Sequence, residues 1–304
     1  MNVREWALIT FTILAQMSVG SFLVLGVVHY FSARHSGPDE ADRLSDRALL
    51  AIGPALLLGL AASLLHLGNP INAYRAIANL GTSWLSREIF CGVLFAALGG
   101  AFAFLQWRKL GSAAFRNFVA LAAAGVGLLL VLSMAMVYML PAEPAWNLVT
   151  TPLSFFATTF LLGVLAMGAA FVANYAYLQR KAPGCADAQC VLLRDSLRWI
   201  AVASIILLGV EFVLLPLSIA LQASGSALPA VPMLIGPFAA VFALRLALVF
   251  LGAGVLGVFV FQAALRPGRE YSLANLAYAA FALVLVGEIL GRFLFYATQV
   301  HYAL

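Results

Sequence analysis

The residue types best suited to proton chemistry lie in one polar stretch between two apolar runs of the chain. His66 closes the first run, Gly68 and Pro70 break any helix there, Arg75 follows, and Glu88 opens the next run. A neutral imidazole and a carboxylate can both accept protons near neutral pH. The order of these residues predicts that a histidine, an arginine and a carboxylate converge at one end of two helices.

The same stretch has a purely structural interpretation. His66 and Asn69 would cap the end of the preceding helix, and Glu88 would be stabilised at the positive end of the next one. Residue types and spacing alone leave both interpretations open.

Four ionisable residues fall inside apolar runs, where an unpaired charge is costly in lipid. Glu288 and Arg292 are four residues apart, which is the favourable order for an ion pair on one helix face. Glu211 and Arg245 lie on neighbouring runs and can neutralise each other. We expect structural ion pairs, with a proton route across this half of the protein as the functional alternative.

The elements that position these residues are long apolar helices. Of 304 residues, 64% are hydrophobic and 10% are charged, against roughly 25% charged in soluble domains. A membrane crossing needs about 20 apolar residues. We predict an all-α protein, one transmembrane domain over residues 1–304, with eight crossings at 6–31, 49–67, 88–107, 118–140, 152–178, 199–221, 237–264 and 273–297.

Lysine and arginine are distributed unevenly between the predicted loops, and they favour the cytoplasmic side. The first, third, fifth and seventh loops hold Arg34, Arg43, Arg47, Arg108, Lys109, Arg116, Arg180, Lys181, Arg194, Arg198, Arg266 and Arg269. The opposite side has only Arg4, Arg75 and Arg87. We therefore place both termini on the outer, periplasmic side. Because topology explains the positive charge, we predict no nucleic-acid partner.

Histidine and cysteine are too few and too scattered for a resident metal group. A bis-histidine haem needs two ligands at matching depth, and an iron–sulfur cluster usually needs four thiolates. The candidates are His29, His35, His66, His301, Cys91, Cys185 and Cys190. We predict no haem, no iron–sulfur cluster and no molybdenum in this protein.

Tyr138 and Trp146 lie on the same predicted side as His66. Aromatic residues at that level commonly form an interfacial belt, and contact with a quinone is the alternative. Oxidation of a quinol would need two proton acceptors beside its hydroxyl groups and a nearby electron acceptor, and His66 with Glu88 meets the first requirement.

Three segments of the sequence resemble the membrane anchor subunit of dimethyl sulfoxide reductase. They are His66-Leu67-Gly68-Asn69-Pro70, Leu85-Ser86-Arg87-Glu88-Ile89 and Glu288-Ile289-Leu290-Gly291-Arg292-Phe293-Leu294-Phe295-Tyr296. The resemblance implies an anchor in the bacterial cytoplasmic membrane that oxidises menaquinol. It also implies two partners, an iron–sulfur electron-transfer subunit and a molybdopterin catalytic subunit.

The resemblance ties His66 and Glu88 to quinol binding, with Gly68, Arg75 and Tyr138 as further candidates. Two other functions remain open from the residues. The eight crossings and their buried charges also suit a secondary transporter, which would have inverted halves and helices broken at the midplane. A purely structural tether for a soluble enzyme is the third possibility.

Overall fold

The computed structural model describes residues 3–65, 78–181, 187–224, 230–266 and 270–298, and every regular element in these ranges is helical. The helices are α1 (Val3–Ser36), α2 (Pro38–Leu64), α3 (Trp84–Arg108), α4 (Ala113–Val137), α5 (Thr150–Lys181), α6 (Asp187–Ser224), α7 (Ala230–Ile235), α8 (Ala239–Val249), α9 (Gly257–Ala264) and α10 (Glu270–Ala297). A π-helical segment, Phe250–Leu256, joins α8 to α9.

Within the described ranges, eight helices are long and apolar enough to span a membrane, which confirms the predicted number. Two of them begin far earlier than predicted: α2 at Pro38 rather than 49, and α6 at Asp187 rather than 199. The added turns are charged, so an apolar-run criterion misses them. Gly37 makes the sharp break between α1 and α2. Its φ of +90° is a backbone conformation that residues other than glycine rarely adopt.

The seventh crossing, predicted at 237–264, is one apolar span over Ala239–Ala264. It consists of α8, the π-helical segment and α9. A π-helical turn accommodates a local change of register within a helix. At its centre Gly252 packs against α10, where a Cβ atom would lie 2.7 Å from Cγ2 of Val284. The π-helical segment therefore accompanies a close helix–helix approach.

Helices α1 and α5 form the centre of the bundle and are its most buried crossings. They cross at Gly20 and Gly163, where a Cβ atom on either residue would overlap the backbone of the other helix. Small residues permit such close contact between membrane helices. This crossing carries α1 side chains, including Gln16, to the start of α5 and to α10.

The bundle has two ends with different polar side chains. We call the end that carries Trp84, Tyr138, Trp146 and Tyr296 the Glu88 end, and the opposite one the Lys109 end. The basic loops predict that the Glu88 end faces outward, and this orientation stays a prediction.

Candidate functional site

Three of the predicted site residues, His66, Gly68 and Arg75, lie outside the described residues. The described part stops at Leu65, just after α2 ends, and resumes at residue 78, shortly before α3. Glu88 and Tyr138, the other two predicted site residues, both lie within the described residues.

Glu88 lies one turn inside α3 rather than at its first residue. The helix begins at Trp84, and the Ser83 hydroxyl caps it by accepting the Ser86 backbone N–H at 3.3 Å. Because the helix-end field acts mainly within the first turn, it does little for a carboxylate at Glu88.

The Glu88 side chain is buried, with 8% of its surface exposed. No cation lies within ion-pair distance of it among the residues the structure describes. Its neighbour Arg87 is engaged elsewhere. The Arg87 guanidinium donates to the carbonyls of Leu80 at 2.8 Å and Gly81 at 2.7 Å and lies 4.2 Å from the Trp84 ring. Arg87 thus holds the turn that enters α3 and leaves the carboxylate unneutralised.

Tyr138, at the end of α4, points into the bundle rather than out to an interface. Its hydroxyl lies 2.6 Å from the hydroxyl of Tyr296 on α10. Tyr296 is only 7% exposed, and both tyrosines lie within electrostatic range of the Glu88 carboxyl. The structure therefore brings Glu88 and Tyr138 into one region, with Tyr296 as a third member.

An aromatic cluster surrounds this tyrosine pair. The Trp146 indole stacks on Phe295 with ring centroids 5.2 Å apart, and its N–H donates to the Phe295 carbonyl at 2.8 Å. Tyr138 contacts both of these rings and Phe155. These contacts fix the position of the loop after α4 against the end of α10.

The four ionisable residues predicted inside the crossings do meet, and we call them the buried ionic cluster: Glu211, Arg245, Glu288 and Arg292. Arg245 lies between both carboxylates, with its Nη2 atom 3.8 Å from Glu211 and 3.6 Å from Glu288. The expected contact between Glu211 and Arg245 is present. Glu288, however, faces Arg245 rather than Arg292. The reason is that α8, which carries Arg245, packs against α10, which carries Glu288.

Arg292 has different contacts. Its guanidinium donates to Gln16 Oε1 at 2.9 Å and lies 3.8 Å above the centre of the Phe155 ring, a stabilising cation–π arrangement. Glu288 accepts a hydrogen bond of 2.6 Å from the Thr158 hydroxyl. Both side chains are almost fully buried, at 2% exposure for Glu288 and 6% for Arg292.

Sequence reasoning did not assign four residues that shape this region. Gln16 and Thr158 are ordinary polar residues in apolar helices, and only their contacts reveal their partners. Gly291 gives Arg245 its space, since a Cβ atom there would overlap the guanidinium. Gly291 and Tyr296 both fall within the Glu288–Tyr296 segment that carried the resemblance, and that was the available signal.

A second polar group lies at the Lys109 end. Lys109 Nζ contacts Asp42 at 2.6 Å and Asp46 at 3.0 Å, and Gln106 donates to the same two carboxylates at 2.8 and 3.0 Å. His29 Nδ1 lies 2.9 Å from the Ser45 hydroxyl. His29, Ser45, Asp46 and Gln106 border a mostly apolar cavity of about 450 Å³. Across the described ranges, no group of three or more metal-ligating side chains is arranged to hold an ion.

Comparison with known proteins identifies relatives along the whole sequence. The YnfH protein of Escherichia coli, named as part of an anaerobic dimethyl sulfoxide reductase, is 29% identical over 294 residues, which cover 96% of this protein and 94% of YnfH. A second Escherichia coli relative, also named as part of an anaerobic dimethyl sulfoxide reductase, is 32% identical over 178 residues, 57% of this protein and 61% of the relative.

A more distant similarity involves one subunit of the sulfite dehydrogenase of Allochromatium vinosum, 32% identical over 102 residues that cover 34% of this protein and 31% of that subunit. The profile of the DMSO reductase anchor subunit (DmsC) family matches residues 1–298. With eight apolar crossings and a match over nearly its full length, this protein belongs to the DMSO reductase anchor subunit family.

Proposed function

We propose that this protein is the quinol-binding anchor of a molybdopterin oxidoreductase of the DMSO reductase type. It oxidises menaquinol near the outer face of the bacterial cytoplasmic membrane. Its partners are an iron–sulfur subunit, which receives the electrons, and a molybdopterin subunit, which reduces the terminal substrate. Membership in the anchor family supports the role as a membrane subunit of a reductase complex.

The observation that carries the proposal is the environment of Glu88. Glu88 is a buried carboxylate with no cation within ion-pair distance among the described residues. Burying such a group in a membrane protein is costly, and the groups that are retained usually have a function. Glu88 lies directly after the polar stretch that contains His66 and next to the tyrosine pair. A carboxylate in such a position suits proton transfer to and from a bound ligand.

The proposed reaction breaks both O–H bonds of the quinol. One proton passes to the neutral imidazole of His66 and the other to the carboxylate of Glu88. The two electrons pass to the nearest iron–sulfur cluster of the partner subunit, and the quinone returns to the bilayer. Gly68 and Arg75 are proposed to shape the pocket, and Tyr138 to form its inner wall beside Glu88.

The test uses the complete complex, purified in mild detergent, with a water-soluble quinol analogue as donor and the terminal substrate as acceptor. We expect His66→Ala and Glu88→Gln each to lower kcat by about 100-fold, the lower range for loss of a general base. Asp195→Asn is the control, since Asp195 is an exposed acid near the start of α6. It should leave turnover unchanged.

Two results would contradict the proposal. Turnover at the rate of the unmodified complex in both His66→Ala and Glu88→Gln would reduce the protein to a structural tether. A preparation that contains this protein without molybdenum or iron, and that moves a solute across liposomes, would favour the transporter.

A further inference from the structure

A polar cavity of about 160 Å³ lies between α5, α6, α8 and α10. Its outer part is formed by Trp146, Thr151 and Gln222, which all lie at the Glu88 end. Its inner part reaches Thr158 and the buried ionic cluster. The cavity therefore leads from one end of the bundle to four charges inside it.

Four atoms of the buried ionic cluster have no hydrogen-bond partner among the described residues. They are Oε1 of Glu211, Nε of Arg245, Oε1 of Glu288 and Nε of Arg292. Buried polar atoms are rarely left unpaired, because each loses its bonds to water. Since two of these atoms are donors and two accept, water can satisfy all four, and the cavity exceeds the roughly 15 Å³ that one water needs.

The two carboxyl groups of the buried ionic cluster can take up a proton. Glu211 and Glu288 both approach the same Nη2 atom of Arg245, which makes the two carboxyl groups neighbours. Two neighbouring carboxyl groups are more stable when they share a proton than when both are ionised. Arginine does not give up its proton in proteins, so Arg245 and Arg292 act only as fixed positive charges and donors.

The tyrosine pair lies within electrostatic range of Glu88 and contacts two residues that line this cavity. The two hydroxyls are 2.6 Å apart, and a hydroxyl can accept one proton while it donates another. Tyr296 follows Arg292 by one helical turn, and Trp146 and Phe295 contact both tyrosines while lining the cavity. This small group of side chains is the route by which we connect Glu88 to the buried ionic cluster.

We propose that the cavity is a water-filled proton chamber in which the Glu211–Glu288 pair receives the proton that Glu88 takes from the quinol. This inference rests on the proposed function. The proton leaves Glu88 for the tyrosine hydroxyls, passes through water to the carboxyl pair, and is released at the Glu88 end. The electrons take the separate route to the partner's cluster. The carboxyl pair returns to its starting charge because each proton that it receives is released again.

Hydration of the cavity is tested without turnover. In the complete complex in nanodiscs, with only Cys91, Cys185 and Cys190 of this protein replaced by alanine, Ser154→Cys places a thiol in the cavity wall. Ser204→Cys is the matched control, because Ser204 has 0% exposure. We expect a small hydrophilic thiol reagent to modify Ser154→Cys at least about tenfold faster. Equal slow rates at both positions would overturn the chamber.

Proton transfer is tested by kinetics in the same complex. We expect Glu288→Gln to lower kcat by about tenfold, less than loss of a direct base, with the KM for quinol unchanged and a larger solvent deuterium isotope effect. Glu288→Asp should restore part of the rate, which a merely structural effect would not predict. Thr158→Val, which removes only the 2.6 Å hydrogen bond, provides a milder variant if Glu288→Gln fails to assemble.

The outcomes separate this inference from the proposed function. If Glu88→Gln stops quinol oxidation but Glu288→Gln and Thr158→Val keep the rate and isotope effect of the unmodified complex, the chamber is wrong and the quinol site stands. If Ser154→Cys is modified but the complex does not oxidise quinol, the cavity is hydrated and the proton route fails together with the proposed function.

Discussion

The charged groups at the Lys109 end and those of the buried ionic cluster are similar in composition and opposite in environment. Lys109 is 45% exposed, and its two aspartate partners are also shared with Gln106. Glu288 is 2% exposed, and the cluster around it leaves four polar atoms without partners among the described residues. The partly exposed ion pairs around Lys109 stabilise helix packing to a modest extent. The buried ionic cluster is costly to keep in the membrane, which indicates a function.

The largest loss of stability is expected when Arg245, the cation that both buried carboxylates share, is removed. We expect Arg245→Met to destabilise the protein by about 3–5 kcal/mol, because it leaves buried carboxylates unpaired. The measurement is the thermal unfolding midpoint of the purified complex together with the amount assembled. The double variant Arg245→Met with Glu288→Gln should recover part of the loss, and no recovery would argue against charge as the cause.

A smaller effect is expected when a neutral partner of the cluster is removed. Gln16→Leu keeps a side chain of similar size but deletes the 2.9 Å hydrogen bond from Arg292 and the 3.0 Å hydrogen bond that Gln16 donates to the Phe155 carbonyl. We expect a loss of about 1.5–3 kcal/mol, typical for a hydrogen bond to a charged group. Unchanged unfolding would mean that water already replaces Gln16 around the guanidinium.

At the Lys109 end the corresponding hydrogen bond joins His29 to Ser45 at 2.9 Å. Ser45→Ala should cost about 0.5–1.5 kcal/mol, the usual net value for such a bond. The same unfolding assay measures it. A loss as large as that of Gln16→Leu would break the distinction between the two regions.

The smallest effect is expected for the exposed ion pairs themselves. Lys109→Ala should cost about 0.2–1 kcal/mol and should matter less at high salt. Partial burial opposes the charge of Lys109, but its hydrogen bonds to Asp42 and Asp46 outweigh this and raise its pKa. A raised folded-state pKa means that the contribution is present below pH 10.5 and is lost as the pH rises through the folded pKa. Unfolding at pH 7 and pH 9 should therefore differ little on this account.

Much of the fold was predictable because lipid imposes a simple rule on sequence. Every crossing needs a long apolar run, so eight runs predicted eight crossings. Helix ends were predicted less well, since charged turns such as those after Pro38 continue a helix beyond the apolar run. The π-helical segment of the seventh crossing was not predicted, because only the packed structure shows the close approach of Gly252 to α10.

For the candidate site, sequence reasoning found residue types and not partners. Glu88 stood out because a carboxylate follows a polar stretch at the start of an apolar run. Glu288 and Arg292 looked like a pair because helix spacing is visible in sequence, yet Arg245 contacts Glu288 from another helix. Local spacing describes one helix, while the choice among competing partners depends on how several helices pack.

The amino-acid sequence by itself determined that this is a membrane bundle of eight crossings, which residue types lie inside it, and the family to which it belongs. Only the tertiary structure decided that Tyr138 meets Tyr296, that Arg245 serves two carboxylates, and that a polar cavity reaches them. The physical reason is distance along the sequence. Apolar burial in lipid is a local property of about 20 residues, whereas these contacts join side chains that are far apart in sequence and come together only when the helices pack.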